Sequence, residues 1–201
     1  LASLFLNLRN NDFPLGYHPD EVKKVAFVEN GMQDFYHPIL LLQGTRLLSA
    51  VMHPASQQQT VEIGRLLSAL AGTAAVALVF LLARRGMPPA WALLASALTA
   101  TSPIIVIHAH YLKEDLVFTC FFLLALLQML RTLDTPNAIN SVFLGVACGL
   151  ALSSKYIGVL FIPLCLFAPL TRQPNERRKI YSILPLTAIA ACATFIAINY
   201  P

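Results

Sequence analysis

Long apolar runs recur along this chain from residue 61 to residue 199, each closed by a short polar break. A helix needs about 20 apolar residues to cross the hydrocarbon core of a bilayer, and it must satisfy its backbone polar groups within itself. The runs predict spans at 61–83, 88–107, 116–130, 138–152, 156–170 and 180–199, and residues 1–8 (LASLFLNL) read as the tail of another. The fold class is therefore all-α and integral to a membrane: a multispanning helical bundle of about seven spans. Only 12% of residues are charged, against about 25% in soluble domains.

The chain starts at Leu1 and stops at Pro201, directly after an apolar run, which reads as the N-terminal part of a longer membrane domain. Net charge is +4 with a pI near 9.0. The basic residues stand singly or at the ends of apolar runs, and no basic face carries interleaved aromatics, so nucleic acid is not the expected partner. Cys120, Cys148, Cys165 and Cys192 lie inside apolar segments without a CxxC pair, as small membrane-core residues do.

Residues 9–60 are the one sizeable polar stretch, a first outer loop. Within it, Val22, Val25, Ala26 and Phe27 have helical spacing over 20–30, with Lys23 and Lys24 on the opposite face and Gly31 as a stop. Residues 39–52 are apolar but short and carry Gln43 and Arg46, which predicts a helix lying in the membrane interface.

Alternating spans divide the charges between two sides. Arg84, Arg85, Arg131, Arg172, Arg177, Arg178 and Lys179 fall on one, packed into three short loops, which favours it as cytoplasmic. Arg9, Lys23, Lys24, Arg46, Arg65, Lys113 and Lys155 fall on the other, with every carboxylate except Asp134 and Glu176. Acids contribute little to orientation, so a chemical site on the outer face is one cause of that asymmetry.

Four places there could carry chemistry. Pro19-Asp20-Glu21 is a good helix start, because acids complement the N-terminal dipole, and it is equally a rigid mount for a general base. His108-Ala-His110-Tyr-Leu-Lys-Glu114-Asp115 puts three ionisable residues in a row at the mouth of a span, where a charge is expensive unless it meets a partner or a wet cavity. Lys155 lies between two apolar runs, as an interfacial lysine or as a cation for a phosphate. Arg65 with Glu62 forms an i,i+3 pair, structural or phosphate-clamping. The five histidines show no compact ligand spacing; the outer-face carboxylates admit a divalent cation without requiring one.

Taken in order, Arg65-Leu-Leu-Ser-Ala-Leu-Ala-Gly-Thr through Leu82-Ala-Arg-Arg85, Ser102-Pro103, His108-Ala-His-Tyr with Asp115, and Gly149-Leu-Ala-Leu-Ser-Ser-Lys-Tyr156 resemble the membrane half of the GT-C glycosyltransferases, of the protein mannosyltransferase and aminoarabinose transferase type. Asp20-Glu21 and Phe35-Tyr-His-Pro38 are similar to that family's first-loop pattern. The resemblance implies an enzyme that takes a sugar from a polyprenyl-phosphate carrier, with inversion, and passes it to a hydroxyl of a protein, lipid or glycan. The site would face the outside of a prokaryotic plasma membrane or the lumen of the endoplasmic reticulum. It implies Asp20 as the catalytic carboxylate with Glu21 as helper, and Asp115 as the second acidic position. Lys155 and Arg65 would serve the carrier phosphate, with His37, His110, Glu114 and Tyr156 as further substrate contacts. Lys113 and Glu114 depart from the small residues expected there and leave open which carboxylate of 114–115 carries the role. A transporter or proton relay lined by Asp115, Lys155 and Arg65 is the rival reading, although the sequence shows no internal repeat. A non-catalytic membrane scaffold is a third.

Overall fold

The computed structural model describes residues 1–31 and 38–200. Among them the chain forms ten α-helices: α1 (Ala2–Leu8), α2 (Pro19–Asn30), α3 (Leu40–Met52), α4 (Gln57–Ala83), α5 (Pro89–Ala100), α6 (Pro103–Ala109), α7 (Glu114–Asp134), α8 (Ala138–Ser154), α9 (Phe161–Phe167) and α10 (Pro174–Asn199). Two 3₁₀ segments, Tyr156–Leu160 and Ala168–Thr171, flank α9.

The loop helices obey their local signals. His18 caps α2 by accepting the Asp20 N–H, Pro19 opens the first turn, and Gly31 ends it at a φ of 67° that favours glycine. Ser56 caps α4 and Asn137 caps α8 in the same manner. One expectation for α2 is corrected. Its buried face is Glu21, Lys24, Val25 and Val28, while Val22 is exposed, so Lys24 lies on the core side with Val25 and not opposite it.

The bundle runs to and fro between two ends. At one end the tip of α8 meets the start of α7 through Lys155 and Asp115, and α10 ends on Ser153 through Asn199. At the other, Asp134 at the end of α7 takes both Arg85, just beyond α4, and Arg172, just before α10. The charge division read from the sequence is thus a division between two physical ends.

Helix lengths support part of the expected count of about seven spans. Among the described residues, α4, α7 and α10 are long and apolar enough to cross a membrane. Residues 88–107 do not form one straight span: α5 and α6 meet at a 54° bend before Pro103, where the missing proline N–H breaks the helix, and they count as a fourth crossing only as a bent pair. With 17 residues, α8 reaches about 25 Å at 1.5 Å per residue, short of the ~30 Å hydrocarbon core. The return through 156–171 is partly 3₁₀.

Small residues let α8 approach α10 closely. A Cβ on Gly145 would lie 2.4 Å from the Thr187 carbonyl oxygen, and one on Gly149 2.7 Å from that of Ala191. Ser141 donates to the Ile183 carbonyl at 2.7 Å across the same seam. Packing and interhelical hydrogen bonds of this kind hold helices together where lipid removes the hydrophobic drive between them. Trp91, Leu93 and Leu98 on α5 and Ile189 and Ile196 on α10 stand exposed, as lipid-facing side chains do. A second apolar cluster, Val25, Leu41, Val61, Leu112 and Val117, seats the loop helices α2 and α3 on α4 and α7. That seat carries the candidate site.

Candidate active site at one end of the bundle

Arg65 is the centre of the seat. It lies on the third turn of α4, fully buried, and its guanidinium grips Glu21 of α2 with two donors, Nε to Oε1 at 2.9 Å and Nη2 to Oε2 at 2.6 Å. The remaining donors reach the carbonyls of Asn11, Phe13 and Pro14, and the Phe13 ring lies 3.6 Å from the guanidinium carbon. A planar fork with five donors suits this position as an ammonium would not. The expected Glu62–Arg65 pair is absent: Glu62 accepts from Gln58 at 2.7 Å, and Arg65 finds its partner 44 residues away.

Glu21 uses Oε1 a second time, accepting the Leu112 N–H at 3.0 Å. Lys24, one turn along α2, donates to the Leu112 carbonyl at 3.2 Å and to Glu114 Oε2 at 2.7 Å. Ser68 of α4 donates to the Lys113 carbonyl at 3.4 Å. The connection from α6 into α7 is therefore held from α2 and α4 at several consecutive residues.

The two acidic pairs divide in the same way. Glu21 and Glu114 are buried in ion pairs, with side-chain exposures of 0% and 9%. Their neighbours are more open: Asp20 is exposed at 56%, and Asp115 is partly buried at 26% with its Oδ2 closed to solvent. Asp20 sits in the first turn of α2, with His18 Nδ1 3.9 Å from its carboxylate and the His18 ring tilted on Tyr111 at 4.7 Å. Asp115 is bonded to Lys155 through Oδ1, while Oδ2 faces His108 Nδ1 at 3.2 Å and Lys113 Nζ at 3.9 Å.

Other expected residues are placed as follows. Both ring nitrogens of His110 face backbone carbonyls, Val106 at 2.6 Å and Arg9 at 2.8 Å, so the ring joins α6 to the end of α1. Tyr156 opens the 3₁₀ turn after Lys155 and is partly exposed. His37 lies outside the described residues. Sequence reasoning gave Lys24 no site role and named His108 only as the start of the 108–115 motif. For Lys24 the signal was present, since Glu21, Lys24, Val25 and Val28 follow i, i+3, i+4, i+7 on one helical face. Among the described residues, no three His, Cys, Asp or Glu side chains cluster closely enough to hold a metal ion.

Chemically, this end offers an accessible carboxylate on a helix N-terminus and a second carboxylate neutralised by a lysine, both on backbone fixed by buried ion pairs. That is a base and a charge-compensated polar patch at the edge of an apolar bundle. A profile of the dolichyl-phosphate-mannose-protein mannosyltransferase family matches residues 41–200. No curated protein and no solved structure matches the chain. The match covers well over half of the sequence, and the chain belongs to that family, as its resemblance to the GT-C enzymes implied. Arg65, His110, Glu114, Asp115, Lys155 and Tyr156 fall inside the matched region; Asp20, Glu21 and Lys24 precede it.

Proposed function

We propose that this integral membrane glycosyltransferase of the mannosyltransferase kind takes its sugar from a polyprenyl-phosphate carrier and transfers it, with inversion, to a hydroxyl acceptor. The reaction takes place at the end of the bundle where Asp20 is exposed and the Asp115–Lys155 pair lies. The observation that carries this reading is the division within Asp20-Glu21: Glu21 is consumed by Arg65 and Leu112, and Asp20 on the same turn is left facing solvent. A carboxylate held rigidly at a helix start is suited to general-base work.

In this mechanism Asp20 accepts the proton of the acceptor hydroxyl as its oxygen attacks the anomeric carbon. The bond from that carbon to the phosphate oxygen breaks on the opposite face, and the polyprenyl phosphate leaves with the electron pair. Lys155 supplies positive charge toward the leaving phosphate, and Asp115 keeps the lysine in place until it is needed. Arg65 has a different part from the phosphate contact expected of it. All its donors are directed to Glu21 and loop carbonyls, so it mounts the base. Glu114, held by Lys24, belongs to the mount as well.

The face follows from charge. Arg84, Arg85, Arg131, Arg172, Arg177, Arg178 and Lys179 gather at the opposite end in short connections, which favours that end as cytoplasmic and the site as periplasmic or lumenal. The test is purified protein in lipid, supplied with a labelled polyprenyl-phosphate sugar and a mixed pool of hydroxyl acceptors. Transfer by the wild type, lost in Asp20→Asn, supports the reading. Full transfer by a correctly inserted Asp20→Asn protein overturns it.

A further inference from the structure

Lys24 is nine-tenths buried, on a loop helix that has an apolar seat available to it. Apolar contact is non-directional, so the Val25, Leu41, Val61, Leu112 and Val117 cluster keeps α2 near α7 without fixing its rotation or register. Hydrogen bonds are directional, and their geometry decides register. Lys24 makes two of them to a single segment, one to the Leu112 carbonyl and one to the Glu114 carboxylate. Leu112 is also the residue whose N–H binds Glu21. The peptide at Leu112 is thus held on both its polar groups by consecutive turns of α2. Glu114 Oε1 has no hydrogen-bond partner among the described residues, so Lys24 is the one side chain found holding that carboxylate.

Asp20 precedes Glu21 by one residue and Asp115 follows Glu114 by one. The same polar clamp that buries the two glutamates therefore fixes where the two aspartates stand. We infer that Lys24 is a positioning residue for the transfer reaction: by bridging the Leu112 carbonyl and Glu114 it locks α2 to the start of α7 and sets the relation between Asp20 and the Asp115–Lys155 pair. This rests on the transferase reading above. Lys24 touches neither reacting atom in that mechanism; it acts through Glu114 and the 112–115 backbone.

Lys24→Met alone leaves a lone buried carboxylate and risks misfolding, so the decisive variant is Lys24→Met with Glu114→Met, which removes both charges and keeps apolar bulk. Lys24→Arg is the conservative companion. Three quantities are measured on detergent-purified protein: the melting temperature, amide hydrogen exchange over residues 111–115, and kcat and KM for transfer from a labelled polyprenyl-phosphate mannose.

The expected result is a double variant that melts like the wild type, exchanges the Leu112–Asp115 amides faster and keeps its donor KM. Its kcat falls by about 10²-fold, the cost of misplacing catalytic groups by an ångström or so. Lys24→Arg recovers part of that rate. A folded double variant with wild-type kcat, or with unchanged exchange over 111–115, overturns the inference. If the wild type transfers no sugar, the transferase reading fails instead, and the exchange measurement by itself still decides whether Lys24 holds the segment.

Discussion

Glu21 and Arg65 meet through two parallel hydrogen bonds of 2.9 and 2.6 Å, with both side chains closed to solvent. The pair joins the first loop to the first long membrane helix, and the same guanidinium gathers three loop carbonyls. Such a pair contributes little net stability compared with apolar replacements, but breaking it strands a buried charge.

Removing Arg65 is accordingly expected to be severe. Arg65→Met leaves Glu21 uncompensated and should cost roughly 3–5 kcal/mol, enough to release the loop from the bundle. Arg65→Lys keeps the charge but loses the fork and should fall between. Thermal unfolding in detergent, with proteolysis of the loop as a second readout, checks the order wild type, Lys, Met.

Asp20 should behave in the opposite sense. It is exposed, and its local role is to complement the α2 dipole, worth about 1 kcal/mol or less. Asp20→Asn is expected to melt within a few degrees of the wild type while transfer drops about 10²–10⁴-fold, the range of general-base assistance. A parallel loss of melting temperature and activity would show that the residue is merely structural.

Lys155 gives a third contrast. Lys155→Met removes the cation bonded to Asp115, but His108 and Lys113 still face that carboxylate, so the fold should survive. If Lys155 meets the carrier phosphate, donor KM should rise and kcat fall by at least tenfold, about 1.4 kcal/mol in the transition state. Lys155→Arg should restore part of both. Steady-state kinetics with the lipid-linked donor separate these outcomes.

The α8–α10 seam is testable without any substrate. A Cβ on Gly145 would meet the Thr187 carbonyl oxygen at 2.4 Å and the Ala190 Cβ at 2.6 Å, and backbone cannot yield as a side chain can. Gly145→Ala should destabilise by about 1–3 kcal/mol, as overpacking does. Gly86, with open space around it, should accept Ala with little change. Melting temperatures of the two variants in the same detergent make the comparison.

Orientation has its own experiment. Val22 is exposed on α2 at the site end, and Arg172 lies at the basic end. In a cysteine-free background, Val22→Cys should react with a membrane-impermeant maleimide added outside intact cells or lumenal-side-out vesicles, and Arg172→Cys only after permeabilisation. The reverse pattern would place the site in the cytoplasm.

Much of this architecture was legible because it is local. Pro19 and Gly31 bound α2 as expected, and α4 ends at Arg84-Arg85 as its apolar run does. The helix expected at 39–52 is α3 almost to the residue. The differences have separate origins. Glu62 stands in the right place to pair with Arg65 along one helix, and local spacing cannot reveal a better partner 44 residues earlier in the chain. Lys24 was assigned to the polar face by its charge, although its position on the helix put it with Val25 and Val28. The run at 88–107 has the composition of one span, and the bend before Pro103 divides it.

The sequence by itself determined the class of protein, because runs of apolar residues in a bilayer have few outcomes besides helix. It also determined which two ends gather charge, and where the helices of the loop begin and stop. What only the tertiary structure decided is which member of each acidic pair is buried in an ion pair. Asp20 and Glu21, like Glu114 and Asp115, are adjacent and chemically alike, and a helix turns by about 100° between neighbours. Which of them is buried depends on how α2 is rotated against α4 and α7, and that rotation is fixed by Arg65, Leu112 and Lys24 through contacts 44 to 91 residues apart. Burial is a property of that packing, and in this chain it places the two glutamates in the frame and leaves Asp20, and in part Asp115, nearer the surface.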